Sequence, residues 1–178
     1  MLFSGWGLSR MTAGTPAAYS LPTGPFRGRF EIKLDPKGRL LIPAAYRAIL
    51  PVENPQLIIT NNRYRGKSCL HAYSLHEWEK LERSIASLSS LKAEVQAFNR
   101  FYLSAGQAAD VDAQNRILVP QSLRKFAGLS GAVVLVGLGN KFEIWAESTW
   151  NSLYEDLTEN FEATLEAVAE LETKVGSK

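Results

Sequence analysis

Leu34–Arg47, LDPKGRLLIPAAYR, has a second copy in Val111–Arg124, VDAQNRILVPQSLR. Asp35 falls on Asp112, Arg39 on Arg116, Pro43 on Pro120 and Arg47 on Arg124, each pair 77 residues apart. The aliphatic triplet Leu40-Leu41-Ile42 falls on Ile117-Leu118-Val119 without a gap. A shared offset over polar, rigid and apolar positions together marks an internal repeat.

Each copy reads as strand, tight turn, strand and short helix. Phe30-Glu31-Ile32-Lys33-Leu34 alternates apolar and polar residues, as a half-buried strand does. Asp35-Pro36-Lys37-Gly38 is turn chemistry. The carboxylate can accept from backbone N–H groups ahead of it, Pro36 presets its own φ, and Gly38 tolerates a positive one. The second copy holds Asn115 at the glycine position, the ordinary residue most at ease in left-handed geometry. Pro43 and Pro120 suit helix starts, where no N–H is needed. The helices they open are expected to bury Tyr46, Ile49 and Leu50, and then Leu123, Phe126 and Leu129, with Gly128 ending the second.

Further correspondence follows at an offset of 72, with Tyr73 on Trp145 and Trp78 on Trp150. The first copy therefore carries about five extra residues, which fall in the segment 61–67, NNRYRGK, read as a basic loop. Ser74 and Glu77 have capping-box spacing ahead of the stripe Trp78, Leu81, Ile85 and Leu88. A helix from about Leu91, with Val95, Phe98 and Tyr102 on one face, links the copies. Trp150, Leu153, Leu157 and Phe161 continue the same pattern in the second.

The expected organisation is a disordered extension over 1–25, where Met11 is an alternative start, a first repeat over 26–106 and a second over 107–165. An acidic tail over 166–178 completes it. Charge is unevenly spread. From Arg27 to Lys67 nine basic residues face three acids, a balance of +6, whereas nine acids face two lysines from Glu143 onward, a balance of −7. Such a bipolar chain suits an anionic partner on the first copy. The five residues expected to meet it are Arg27, Arg29, Lys33, Lys37 and Arg39. Arg39 and Arg116 can each brace a turn, pair across a subunit boundary or reach a phosphate, so the aspartate–arginine pairs read as structural or functional.

Several classes of function find no support. No phosphate-cradling glycine loop, nucleophile elbow or paired-carboxylate pattern is present, so the chain reads as no enzyme and calls for no cofactor. His71 and His76 lack a cysteine or acid at metal-ligand spacing, and no metal site is expected. Cys69 stands alone and reads as a small buried hydrophobe. No stretch has the length and apolarity needed to span a membrane.

The two motifs, Asp35-x-Lys37-Gly38-Arg39 with Pro43 and Asp112-x-x-Asn115-Arg116 with Pro120, resemble those of the bacterial MraZ family. The resemblance extends to Phe26-Arg27-Gly28 and Asn140-Lys141-Phe142-Glu143-Ile144-Trp145. More broadly the chain resembles the AbrB-like or SpoVT-like swapped-hairpin proteins. This resemblance implies an α+β fold: tandem, pseudo-two-fold β-α-β repeats interlocked as a swapped-hairpin, double-split β-barrel core with peripheral helices. It implies a cytoplasmic, nucleoid-associated transcriptional regulator of the division and cell-wall gene cluster. It also implies a ring-shaped homo-oligomer that binds double-stranded DNA at short direct repeats in its own promoter. The competing reading is a protein-interaction or antitoxin-like module with secondary DNA binding.

Overall fold

The computed structural model describes residues 24–175; the expectations for residues 1–23 and 176–178 lie outside the described residues. The alternating stretch forms β1 (Arg29–Lys33), and the turn leads into β2 (Arg39–Leu41) and a four-residue helix α1 (Ala44–Arg47). A long hairpin follows, β3 (Gln56–Tyr64) and β4 (Lys67–Ser74). Helices α2 (Leu75–Ala86) and α3 (Ala93–Phe101) and a 3₁₀ turn (Leu103–Ala105) lead to the second copy. There β5 (Gln107–Asp110), β6 (Arg116–Leu118) and α4 (Gln121–Phe126) repeat the first three elements. The hairpin β7 (Ala132–Gly137) and β8 (Lys141–Ala146) repeats the long one, and α5 (Glu147–Glu159) and α6 (Phe161–Val175) end the described chain. Ser74 caps α2, accepting from the Glu77 N–H as its spacing predicts.

Strands of the two copies interleave. The main sheet runs β1-β7-β8-β4-β3-β5, antiparallel throughout, and β2 pairs with β6 in a separate ribbon. Exchanging the copies turns that order into its own reverse. β1 of the first copy lies on β7 of the second, and β5 of the second lies on β3 of the first. At two places a residue pairs with its own counterpart, Leu40 with Ile117 in the ribbon and His71 with Glu143 at the centre of the sheet. A pseudo-two-fold axis passes through both.

The barrel expected from the resemblance does not form. The six-stranded sheet is open, with β1 and β5 as its edges, and the fold is α+β with two antiparallel sheets. The physical reason lies in the short elements. β5 has four residues and pairs only with β3, while β2 and β6 leave the main sheet to pair with each other. The ribbon covers the core instead of closing the sheet around it.

Side-chain alternation divides the interior between two faces. On one, Leu57, Ile59, Leu70, Ala72, Val133, Leu135, Phe142 and Ile144 of the sheet meet Leu40, Ile42, Tyr46, Ile117 and Leu123 from the ribbon and short helices. Phe26 and Tyr46 both pack against Phe142, with ring centroids 5.1 and 4.8 Å away. Loss of that ring is expected to cost about 3–5 kcal/mol. The other face carries two separate clusters. Cys69, Val134 and Trp145 lie under Trp150 and Leu153 of α5, and Ile58 and Tyr73 lie under Trp78 and Tyr102. A polar seam divides them.

Segment 61–67, expected to be a loop, is mostly strand. β3 and β4 remain paired through Tyr64 and Lys67, and only Arg65 and Gly66, at φ 48° and 76°, make the turn. Two successive positive φ values suit the tight turn that matches strand twist. The five extra residues therefore lengthen a hairpin.

Candidate nucleic-acid interface

Asp35 organises the first turn. Its Oδ1 accepts from the backbone N–H of Lys37 and of Arg39, both at 2.9 Å, and its Oδ2 accepts from the Arg39 guanidinium at 2.8 and 2.7 Å. The Gly38 N–H closes the turn on the Asp35 carbonyl at 2.9 Å, with Gly38 at φ 83°. Asp112 repeats this atom for atom. Its Oδ1 accepts from Gln114 and Arg116 at 2.9 Å, and its Oδ2 accepts from the Arg116 Nε and Nη2 at 3.0 and 2.9 Å. Asn115 takes the glycine position at φ 62°. The Arg39 backbone N–H leads in holding the Asp35 carboxyl below its usual range, and the Arg116 guanidinium leads for Asp112. Both aspartates are therefore turn fasteners, and both arginines are held by them.

The copies brace each other's turns. The Ile42 N–H donates to the Asn115 carbonyl and the Val119 N–H to the Gly38 carbonyl, each at 2.9 Å. Arg47 donates to the Asn115 Oδ1 at 3.0 Å, while its counterpart Arg124 lies over Gly38, where any Cβ would stand 2.3 Å from its Cζ. Pro43 and Pro120 each occupy the extended residue just before their helices.

Leu40 and Ile117 of the ribbon point inward and are buried, so Arg39, Leu41, Arg116 and Leu118 share the outer face. Leu41 and Leu118 are 50% and 55% exposed, and each pairs directly with an arginine of the other copy. This four-residue face, two leucines crossed with two arginines, was missed in the sequence. The alternation of buried and exposed residues in the matched triplets is the signal that finds it.

The basic residues of the first copy are not equivalent. Arg27 and Lys33 are exposed, and Lys37 is exposed within the turn. Arg29 shares its strand face with Glu31 and Lys33, but its guanidinium lies 4.5 Å from the Tyr154 ring centroid and 5.8 Å from that of Trp150. Arg39 is ion-paired as described. In the long hairpin, Arg63 donates to the Gly66 carbonyl at 3.0 Å, and Lys67 reaches Ser152 at 2.9 Å and Asp156 at 3.9 Å. Lys37 thus stands out as a cation beside the ribbon, whereas Arg29 and Lys67 are engaged with α5.

Comparison with known proteins adds one decisive match. The family described as "MraZ protein, putative antitoxin-like" matches residues 26–101 and 103–171. The chain belongs to the MraZ family. MraZ proteins lie within the AbrB/SpoVT-like swapped-hairpin superfamily and regulate transcription of division and cell-wall genes; they are regulators, not enzymes. Among solved structures, the solution structure of PHS018 from Pyrococcus horikoshii is similar over 64% of this chain and 91% of its own, at 14% identity and a TM-score of 0.33. Among the described residues no helix is long and apolar enough to cross a membrane.

Proposed function

We propose that this MraZ-family chain binds double-stranded DNA sequence-specifically at short direct repeats in the promoter of its own gene, as a ring-shaped homo-oligomer at the nucleoid in the cytoplasm. The observation that carries the reading is the outer face of the β2–β6 ribbon, with a fastened arginine in each copy and Lys37 free beside one. A two-stranded ribbon has the width to enter a major groove, where arginine or lysine can read guanine edges. Arg27, Arg29, Lys33, Lys37 and Arg39 supply the phosphate contacts, with Arg29 or Lys37 as the base reader. Arg29 must leave the Tyr154 ring to take that part.

One ribbon gives a small footprint, so recognition of spaced repeats draws on several ribbons held together. Support for self-association comes from α6. Phe161, Leu165, Val168 and Leu171 recur at helical spacing, and all four are exposed.

The test is fluorescence anisotropy of the protein on the duplex upstream of its own gene and on a scrambled duplex of equal length, over a salt series. Tighter binding to the native duplex with a steep salt slope is expected, and Lys37→Ala should flatten that slope by about one unit. Equal, weak binding to both duplexes refutes the reading and favours an antitoxin-like, protein-interaction module.

A further inference from the structure

We propose that Cys69, His71 and Glu143 form a binding site for one divalent transition-metal ion of the zinc class. The Cys69 thiol, the His71 imidazole and the Glu143 carboxylate have donor atoms that all lie within 4.8 Å of one another. His71 and Glu143 occupy the polar seam between the two helix-covered clusters, paired across β4 and β8, and Cys69, two residues before His71 on β4, belongs to the cluster under α5 that borders the seam. A tetrahedral ion with bonds near 2.0–2.3 Å needs donor separations of about 3.3–3.8 Å. His71 Nε2 and Glu143 Oε1 stand 3.2 Å apart, close to that separation, and the Cys69 thiol completes a group within 4.8 Å that an ion would draw together.

Each donor is already oriented from behind by a second polar group, as metal ligands are. The Trp145 indole N–H donates to Glu143 Oε2 at 2.8 Å, leaving Oε1 directed at the seam. His71 Nδ1 meets the Tyr102 hydroxyl, itself 2.7 Å from the Tyr73 hydroxyl, leaving Nε2 directed at Glu143. Burial pushes the Cys69 thiol up to about 12, and the Asn62 amide, which donates to its Sγ at 3.4 Å, pulls the other way. Burial lowers the His71 pKa, against the Glu143 carboxylate beside it.

One thiolate, one imidazole and one carboxylate suit zinc, and three protein ligands leave the fourth position to water. The side chains of His71 and Glu143 keep 10% and 13% of their surface accessible, whereas Cys69 is fully buried. Protons balance simply. With the ion on Nε2 the imidazole carries its hydrogen on Nδ1 and donates to the Tyr102 hydroxyl, that hydroxyl donates to the Tyr73 oxygen, and the thiol releases one proton to solvent for each ion bound. Because Cys69 and His71 belong to the first copy and Glu143 to the second, the ion would clasp the two copies at their shared axis.

The test uses full-length, untagged protein stripped with a chelator and titrated with Co²⁺, then with Zn²⁺. Expected are saturation at one ion per chain, a thiolate-to-cobalt charge-transfer band, loss of that band on adding Zn²⁺, and a higher melting temperature with the ion. Cys69→Ser should lose the band, and Glu143→Gln should weaken Zn²⁺ binding at least about tenfold. Glu147→Gln, on the adjacent helix, should bind as the parent does. If Cys69→Ser fails to fold, His71→Gln with Glu143→Gln decides the matter by affinity alone. No charge-transfer band, or unchanged Zn²⁺ affinity in the Glu143 and His71 variants, overturns the proposal. Neither readout involves DNA.

Discussion

A single methyl group added at Gly137 tests how the first copy is seated against the second. Gly137 ends β7, and its N–H donates to the Gly28 carbonyl at 2.9 Å. An added Cβ would lie 2.7 Å from the Arg27 nitrogen and from the Phe26 carbonyl carbon and oxygen. Those atoms are backbone, and they cannot rotate away. They are also held, since Phe26 and Gly139 exchange two hydrogen bonds at 2.7 and 3.0 Å while the Phe26 ring packs against Tyr46 and Phe142. Overpacking of a tight site costs about 1–3 kcal/mol, and a fixed backbone neighbour puts Gly137→Ala at the upper end. For a chain of this length that is a fall in Tm of roughly 5–10 °C. Gly38→Ala is the control, because it meets Arg124 Cζ at 2.3 Å but at φ 83°. The guanidinium can swing aside, so the cost there is the left-handed backbone alone, about 1–2 kcal/mol. Urea unfolding at one fixed protein concentration measures both. A Gly137→Ala variant within about 0.5 kcal/mol of the parent would refute the reasoning, as would Gly38→Ala proving the costlier of the two.

Lys37→Ala should weaken DNA binding without moving the urea midpoint, whereas Arg39→Ala should lower both, because Arg39 also fastens its turn; separate unfolding and anisotropy curves check this. Asp35 and Asp112 have pKa values below the ordinary carboxylate range, so their stabilisation is complete above the unfolded value near 3.8 and is lost as pH falls through the lower folded value. The Asp35→Asn/Asp112→Asn protein should therefore show a flatter dependence of its urea midpoint between about pH 5 and pH 3. Leu165→Glu/Val168→Glu should reduce the oligomer, measured by light scattering after size exclusion, while leaving the helical circular dichroism of the chain intact.

Local features were legible in the sequence because their causes are local. The aspartate turns, the left-handed Asn115 and the Ser74 cap each depend on residues within four positions of one another. The strand order was not legible, since β1 finds β7 about a hundred residues away and nothing in either strand names its partner. The open sheet was missed for the same reason. Segment 61–67 looked like a loop because β3 from Thr60 to Tyr64 pairs only with β4, and its outermost residues can stay polar. The five basic residues of the first copy were legible as a charge excess. Which basic residues of that copy are already engaged depended on α5, whose Tyr154 and Asp156 meet Arg29 and Lys67. Glu143 beside His71 lay beyond spacing rules altogether, for 72 residues separate them.

That last pair has a consequence for how the repeat can evolve. Were the two copies separate, identical chains, the residue on the axis would face itself, histidine against histidine or carboxylate against carboxylate. Two carboxylates in so enclosed a place would repel, and whichever residue stood there, selection could change both only together. Joining the copies in one chain removes that constraint, so one side has become imidazole and the other carboxylate, an acceptor matched to a donor. The same freedom has put Leu40 opposite Ile117. Covalent linkage thus makes the centre of this molecule the one region where a symmetric assembly could never have been chemically asymmetric.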